Sequence, residues 1–311
     1  YSSAASDVYK RQDKKFMKFI FDIIKGIFIG IANIIPGVSG GTMAVSMGVY
    51  DKLINSINSI IKDFKKSFFT LLPLVIGMIG GIGIFSYIIP YSLSHYAFQT
   101  CMCFTGLIVG GMPQIIGNAS DALKKEERKM RFTHIIAFVI LAALAVIMAV
   151  ANGNNSGPSV ITVDFKNIVI LVVIGIVAAA TMIVPGVSGS LVLMILGYYS
   201  GIIGTIRDFI SSLKNLNWSG LGHCVAVLVP FAIGCIVGIL LISKLISWLF
   251  KKFESVTYCA ILGLIAASPF AIFYKMEKCT FSAVNIIVGI VLFAVACAFT
   301  YLFSKKTKST N

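Results

Sequence analysis

Long apolar segments alternate with short polar loops along the whole chain, and this pattern is the strongest constraint on its fold. Ten such segments cover residues 17–35, 38–50, 70–90, 98–117, 132–151, 167–184, 187–206, 223–248, 257–274 and 284–303. Most are long enough to cross a bilayer, which takes about 20 helical residues. Only 12% of the 311 residues are charged, about half the usual share in soluble domains. The sequence therefore predicts an all-α polytopic membrane protein.

Segment 38–50 is too short to span a bilayer, because its residues rise only about 20 Å as a helix. It follows segment 17–35 directly, across the sequence Pro36-Gly37-Val38-Ser39-Gly40-Gly41. A break of this kind leaves backbone N–H and C=O groups that lipid cannot satisfy. We therefore expect the break to be buried in protein or to line a cavity.

The break occurs twice, because the chain contains an internal duplication. Residues 34–41 match residues 183–190 at an offset of 149, as Ile-Ile-Pro-Gly-Val-Ser-Gly-Gly and Ile-Val-Pro-Gly-Val-Ser-Gly-Ser. The matches continue as Gly48 with Gly197, Tyr50 with Tyr199, Pro73-x-x-x-Gly77-x-x-x-Gly81 with Pro230-x-x-x-Gly234-x-x-x-Gly238, and Gly106-Leu107-Ile108 with Gly263-Leu264-Ile265. The Gly-x-x-x-Gly spacings are typical of closely packed helices.

Each half contains a broken or re-entrant helix pair followed by three transmembrane helices. The pair makes an even number of crossings whether it returns or spans twice, so each half crosses an odd number of times. The two halves are therefore expected to form inverted repeats, as in secondary transporters. We assign 1–16 to a cloning or sequence-assembly scar, 17–151 to the first inverted repeat, 152–166 to an external linker, 167–303 to the second inverted repeat and 304–311 to a cytoplasmic tail.

The loop charges predict the orientation. Loop 118–131 carries five Lys and Arg residues, whereas loop 91–97 carries none and 152–166 carries one. The positive-inside rule then places both termini in the cytoplasm. The net charge of +14 comes from short basic runs between apolar segments, which match anionic membrane lipids rather than nucleic acid.

The repeated break has the chemistry of an anion site. In each copy the second half-helix should begin near Ser39 or Ser188, where unpaired N–H groups and the positive dipole end attract anions. Two such N-termini from opposite faces would meet near the midplane, although the break alone could also serve close packing. The candidate phosphate-binding residues are Pro36, Gly37, Ser39, Gly40, Gly41, Thr42, Pro185, Gly186, Ser188, Gly189 and Ser190.

Two cations near the breaks are candidates for attracting an anionic headgroup. Lys25 lies inside the first apolar segment, and Arg207 follows the second broken pair. The alternatives are an Asp22–Lys25 pair at the membrane edge, with Lys25 extending toward water, and an ordinary loop charge at Arg207.

Gly-x-Ser-Gly is also the nucleophile motif of intramembrane serine proteases of the rhomboid type, which need a general base near the serine. The three His residues lie at segment ends or in loops: His95, His134 and His223. None is spaced with the seven Cys residues as metal ligands would be. We therefore expect neither an enzyme nor a metal site.

The segments Asn33–Ala44 and Val184–Ser190 resemble the bacterial family formerly called domain of unknown function 368, the polyprenyl-phosphate (undecaprenyl phosphate) translocases. The resemblance covers residues 17–303. It implies the return of this carrier lipid across the bacterial cytoplasmic (inner) membrane for cell-wall polymer synthesis, without a cofactor, and leaves open a coupling to a proton or sodium gradient. The residues alone indicate only an anion, a midplane site and transport. A transporter or channel for a small anion and, less favoured, an intramembrane serine hydrolase remain the alternatives, and the oligomeric state is open.

Overall fold

The computed structural model describes the backbone of residues 2–34, 38–126, 130–151, 161–274, 276 and 282–308, and the side chains from 16 to 305 within these ranges, except that of Pro90. These residues form twelve helices and no strand, so the predicted all-α fold is confirmed. The helices are α1 (Ser2–Ile34), α2 (Gly40–Ser46), α3 (Tyr50–Ser59), α4 (Phe64–His95), α5 (Ala97–Lys125), α6 (Phe132–Val150), α7 (Phe165–Ile183), α8 (Gly189–Ile195), α9 (Tyr199–Lys214), α10 (Trp218–Lys252), α11 (Glu254–Tyr274) and α12 (Ala283–Lys308).

Seven helices of the described chain are long and apolar enough to cross a membrane: α4, α5, α6, α7, α10, α11 and α12. Helices α8 and α9 would add an eighth span if they were counted together, but a bend of 111° separates them. The chain is therefore a multi-pass membrane protein, as the sequence predicts.

The helix order repeats in the two halves of the chain. Each half begins with a long helix, α1 or α7, followed by a helix of only 7 residues, α2 or α8. A short helix, a very long one and two further helices complete each half. This order agrees with the duplication found in the sequence, and the inversion of the second half stays a prediction.

Glycines set the packing of the long helices within each half. A Cβ atom built on Gly77 or Gly81 would lie 2.0 or 2.5 Å from a carbonyl oxygen of α1. A Cβ atom on Gly234 or Gly238 would lie 2.1 or 2.4 Å from a carbonyl oxygen of α7. The predicted role of both Gly-x-x-x-Gly spacings in close helix packing is confirmed, because no larger residue fits at these positions.

The chain forms two compact units that differ from the sequence repeats. The first contains α1–α4, α5 up to Gly117, and α12; the second contains the rest of α5 and α6–α11. In the first unit, a Cβ on Gly106 would lie 2.4 Å from the carbonyl oxygen of Phe293 on α12. In the second, a Cβ on Gly263 would lie 2.2 Å from that of Phe138 on α6. Each sequence half therefore gives its last helix to the unit built mainly from the other half.

The ends of the predicted repeats can be compared with the helix bounds. Helix α1 includes residues 2–16 and α12 continues beyond residue 303 to Lys308, while the origin of residues 1–16 stays a prediction. Residues 152–160 of the predicted linker lie outside the described residues. After them, Ile161 is buried, and the side chain of Asp164 caps α7 by accepting a hydrogen bond from the Asn167 N–H at 3.2 Å.

Candidate functional site

The Pro-Gly dipeptide of the second motif makes a tight turn at the end of α7. The Val187 N–H donates to the Val184 carbonyl oxygen at 3.4 Å, which places Pro185 and Gly186 at the two central positions. Gly186 has a φ of +78°. Proline at the first central position and a positive φ at the second are the features of a type II turn. The helix therefore breaks where the sequence predicts, for a local conformational reason.

Helix α8 starts directly after this turn, with Ser188 as its N-cap residue. The Ser188 side chain caps no backbone N–H, and its Oγ lies 2.9 Å from the Oγ of Ser190. Ser188 is half-buried and Ser190 is exposed, so this hydroxyl pair stands at an accessible position. Gly189 is buried, and a Cβ there would lie 2.8 Å from the Ala178 carbonyl oxygen. Only glycine fits at that position without moving the backbone.

The first motif is more enclosed. Ser39 is the N-cap residue of α2, and its Oγ accepts a hydrogen bond from the Gly41 N–H at 3.2 Å. Ser39, Gly40, Gly41 and Thr42 are all buried. The side-chain amide of Asn33 occupies the space beside Gly40, 2.7 Å from where a Cβ would be. Pro36 and Gly37, the other two candidates of this copy, lie outside the described residues.

The predicted starts of both second half-helices, at Ser39 and Ser188, are confirmed as N-cap positions. The first motif lies in the first compact unit and the second motif in the second unit. Each motif is therefore described by itself, and the single midplane site stays a prediction.

A second break follows each short helix, and the sequence reasoning missed it. After α2, the Gly48 N–H donates to the Val45 carbonyl oxygen and the Val49 N–H to that of Ala44. Gly48 has a φ of +66°, and its repeat mate Gly197 has a φ of +78° with the same pair of hydrogen bonds after α8. Both are Schellman motifs, in which a glycine with positive φ ends the helix. The signal was present as a matched glycine in each copy, but the surrounding apolar run concealed it.

The two predicted headgroup cations differ in their surroundings. Lys25 is only 2% exposed, and its Nζ lies 5.8 Å from the centroid of the Phe303 ring, a cation–π contact. The expected pair between Asp22 and Lys25 does not form, because Asp22 makes its ion pair with Lys52. Arg207 is exposed and lies within α9, not in a loop.

A buried hydrogen-bond network joins three polar residues of the second unit. The Ser255 hydroxyl donates to Glu126 Oε2 at 2.9 Å, and Ser255 Oγ lies 3.0 Å from Nε2 of His134. The Ser255 N–H also donates to Glu126, at 3.1 Å. Because the Ser255 hydroxyl donates its hydrogen bond to Glu126, the Ser255 oxygen accepts one from His134 Nε2. His134 is therefore a donor to Ser255 and not a base that activates it. Ser255 is more than 100 positions from both Glu126 and His134 in the sequence, so no local pattern indicates this network.

A serine hydrolase would need a base beside one of the motif serines. Instead, Ser39 Oγ accepts a hydrogen bond from the Gly41 N–H, and Ser188 Oγ pairs with Ser190 Oγ. Within the described residues, no group of three or more His, Cys, Asp or Glu side chains is placed to hold a metal ion.

Comparison with known proteins places the chain in a family. A family profile described as undecaprenyl phosphate translocase-like matches residues 29–286, a range that contains both motifs. The chain belongs to this family. The resemblance of the doubled motif to undecaprenyl phosphate translocases is thus confirmed.

Two relatives are similar to this chain along most of their length. A protein named polyprenyl-phosphate transporter from Staphylococcus aureus (strain NCTC 8325 / PS 47) is 31% identical over 256 residues, which cover 81% of this chain and 85% of the relative. A protein of the same name from Vibrio cholerae serotype O1 (strain ATCC 39315 / El Tor Inaba N16961) is 26% identical over 265 residues, or 81% and 76% of the two chains. No solved structure matches the chain.

Proposed function

We propose that this protein carries polyprenyl phosphate across the bacterial cytoplasmic membrane and returns undecaprenyl phosphate to the inner leaflet for reuse in cell-wall polymer synthesis. The observation that carries the proposal is the match to the undecaprenyl phosphate translocase-like family over residues 29–286, which include both motifs. The two relatives named polyprenyl-phosphate transporter support the same substrate. The activity is transport, without a chemical step and without a cofactor.

In this proposal, the two motifs contact the lipid phosphate during transport. The N-termini of α2 and α8 place backbone N–H groups at a positive dipole end. At α8, the hydrogen-bonded hydroxyl pair of half-buried Ser188 and exposed Ser190 leaves one hydroxyl proton to donate to the phosphate. The glycines, including Gly40 and Gly189, let phosphate oxygens approach the backbone closely. Pro36, Gly37, Gly41, Thr42, Pro185 and Gly186 complete the two phosphate-contacting loops.

The test is a proteoliposome assay of undecaprenyl phosphate translocation, run with and without a proton or sodium gradient. The test variants are Gly40→Val and the double variant Ser188→Ala with Ser190→Ala. The first adds bulk beside the backbone, and the second removes both hydroxyl groups of the pair. Gly83→Val is the matched control, since a Cβ at Gly83 meets no atom within 4 Å. We expect strong loss with Gly40→Val, partial loss with the double variant, and wild-type rates with Gly83→Val.

Two results would decide against this proposal. If both motif variants insert normally and translocate the lipid at the wild-type rate, the motifs are packing devices only. If the wild-type protein moves inorganic phosphate but not undecaprenyl phosphate, it is a transporter for a small anion.

We also propose that both termini face the cytoplasm. Single cysteines at Asn154 and Lys125, introduced into a cysteine-free background, test the orientation with a membrane-impermeant thiol reagent. Labelling from outside is expected at position 154 and not at 125. Labelling at 125 from outside would contradict the orientation.

A further inference from the structure

A basic cleft in the first compact unit is separate from both motifs. It lies beside α1 and the junction of α3 and α4, and has a volume of about 1000 Å³. Its cations are Lys18, Lys52, Lys65 and Lys66, and its carboxylates are Asp22 and Asp63. Four cations against two carboxylates give the cleft an excess of two positive charges. Phe19, Phe64 and Phe69 also line it, and we call it the α1–α4 cleft.

The cleft contains a partly buried ion pair in addition to exposed lysines. The Asp22 side chain is 8% exposed and pairs with the Lys52 ammonium group, whose side chain is 27% exposed. One turn further along α1, Lys25 is 2% exposed, and its Nζ lies over the Phe303 ring. A partly buried ion pair and a buried ammonium group thus lie one helical turn apart. Buried charges are costly unless they are compensated, so an anion that enters the cleft gains more than it would at a solvated surface.

Aromatic rings form one side of the cleft. Phe19, Phe64 and Phe69 line it, and Phe64 and Phe69 are 64% and 60% exposed. The rings of Phe64 and Phe68 stack at 5.8 Å, and those of Phe68 and Phe69 meet edge to face at 5.7 Å. A soluble anion would need only the lysines. A cationic pocket beside exposed rings fits an amphiphile with an anionic head and a hydrocarbon chain.

Comparison of the two copies shows that helix packing does not require these charges. At the offset of 149, Lys18, Asp22, Lys25 and Lys52 correspond to Asn167, Leu171, Ile174 and Gly201. The packing glycines are kept, because Gly26 corresponds to Gly175 and a Cβ atom built on either would lie within 2.3 Å of a carbonyl oxygen. The second copy therefore packs its helices in the same way without any of these charges.

The second half also has a cleft at the junction of α9 and α10, and its character differs. Its volume is about 450 Å³, and its described lining contains Asp208 and His223 with serines and no Lys or Arg. The excess of positive charge is thus a property of the first copy alone. A positive-inside bias accounts for exposed lysines, but it does not account for the partly buried Asp22–Lys52 pair and the buried Lys25.

We propose that the α1–α4 cleft binds the phosphate monoester headgroup of a prenyl lipid, with its first isoprene units against Phe64 and Phe69. A phosphate monoester carries about −1.5 to −2 charges at neutral pH, which balances the excess of the cleft. The proposal rests on the proposed function for the choice of a prenyl chain. A headgroup site present in one copy only gives the lipid phosphate a resting place at one face, which is the predicted cytoplasmic one.

Farnesyl phosphate, inorganic phosphate and farnesol are the probes, titrated against the purified full-length protein in nanodiscs. Lys66→Gln is the principal variant because Lys66 is exposed and its loss leaves no buried charge unpaired. Lys52→Gln and the charge-keeping Lys52→Arg form a second pair. Lys62→Gln is the matched control, since Lys62 is exposed in the connection between α3 and α4 and does not line the cleft.

We expect Lys52→Gln to weaken farnesyl phosphate binding about tenfold or more, because it removes a charge-assisted contact. Lys66→Gln should weaken it severalfold, and Lys52→Arg and Lys62→Gln should bind like wild type. Farnesol binding should be equal in all variants. Wild-type affinity for farnesyl phosphate in Lys66→Gln and Lys52→Gln, or no binding by the wild-type protein, would overturn the proposal. Equal affinities for inorganic and farnesyl phosphate would make the cleft a site for free phosphate and remove the lipid from it.

The translocation assay keeps this inference distinct from the proposed function. If the protein fails to move undecaprenyl phosphate but the lysine variants weaken farnesyl phosphate binding, the function is wrong and the cleft stands. If the protein moves the lipid and the lysine variants bind normally, the function stands and the cleft is wrong.

Discussion

Replacing Gly77 by alanine tests whether the contact between α1 and α4 is as close as described. The added Cβ would lie 2.0 Å from the Ile23 carbonyl oxygen and 3.0 Å from the Gly26 Cα. An ordinary carbon contact needs about 3.5 Å, so the helices must separate by roughly 1.5 Å. Overpacking of this kind typically costs about 1–3 kcal/mol. Because the partner atoms are backbone, no side-chain rotation can relieve the contact.

The same helix supplies the control for this prediction. A Cβ at Gly80 or Gly83 meets no atom within 4 Å, and Gly→Ala in an open helix position favours the helix by up to about 1 kcal/mol. Gly77→Ala should therefore lower the thermal midpoint of the protein in detergent by several degrees, while Gly80→Ala should leave it unchanged or raise it. At roughly 2–4 °C per kcal/mol, the difference is measurable by thermal unfolding followed by intrinsic tryptophan fluorescence. Equal midpoints for the two variants would refute the close contact.

Four further substitutions, with a control at His95, test the motifs and the network of the second unit. Ser39→Ala should lower stability by about 1 kcal/mol through loss of an N-cap bond, and Ser188→Ala by less because Ser188 makes no cap bond; equal losses in the melt would contradict the described capping. Gly186→Ala should cost roughly 1–2 kcal/mol because it places a side chain at a φ of +78°, and a variant with the wild-type midpoint would exclude the type II turn. His134→Ala should cost about 1–3 kcal/mol by leaving buried Ser255 without one partner, whereas substitution of the exposed His95 should change the midpoint little.

Local signals allowed the helix breaks to be predicted from the sequence. Proline followed by glycine ends a helix, and a serine two positions later begins the next one, so Ser39 and Ser188 could be identified as helix starts. The breaks at Gly48 and Gly197 were missed, because each lies in a mainly apolar run in which hydropathy does not distinguish a turn from a helix. The signal that could have found them is a matched glycine at the end of a short apolar run.

Long-range contacts could not be predicted in the same way. The ion pair of Asp22 joins residues 30 positions apart, whereas reasoning from helix spacing offers only neighbours three or four positions away, such as Lys25. The exchange of α6 and α12 was equally hidden, since hydropathy identifies apolar helices but does not tell which helix packs against which. Several glycines marked such contacts, yet a glycine does not reveal its partner.

The exchange of final helices determines the order in which the two units can be completed during synthesis. All of α6–α11 leaves the ribosome in one continuous stretch, so the second unit has its helices before the first does. The first unit must wait for α12, the last helix to be made. Between the ends of α5 and α12 the ribosome needs roughly 10–40 s at about 5–20 residues per second, and during that time Gly106 and Gly110 on α5 lack their α12 partner. Although it contains the first helix to be made, the first unit is completed last.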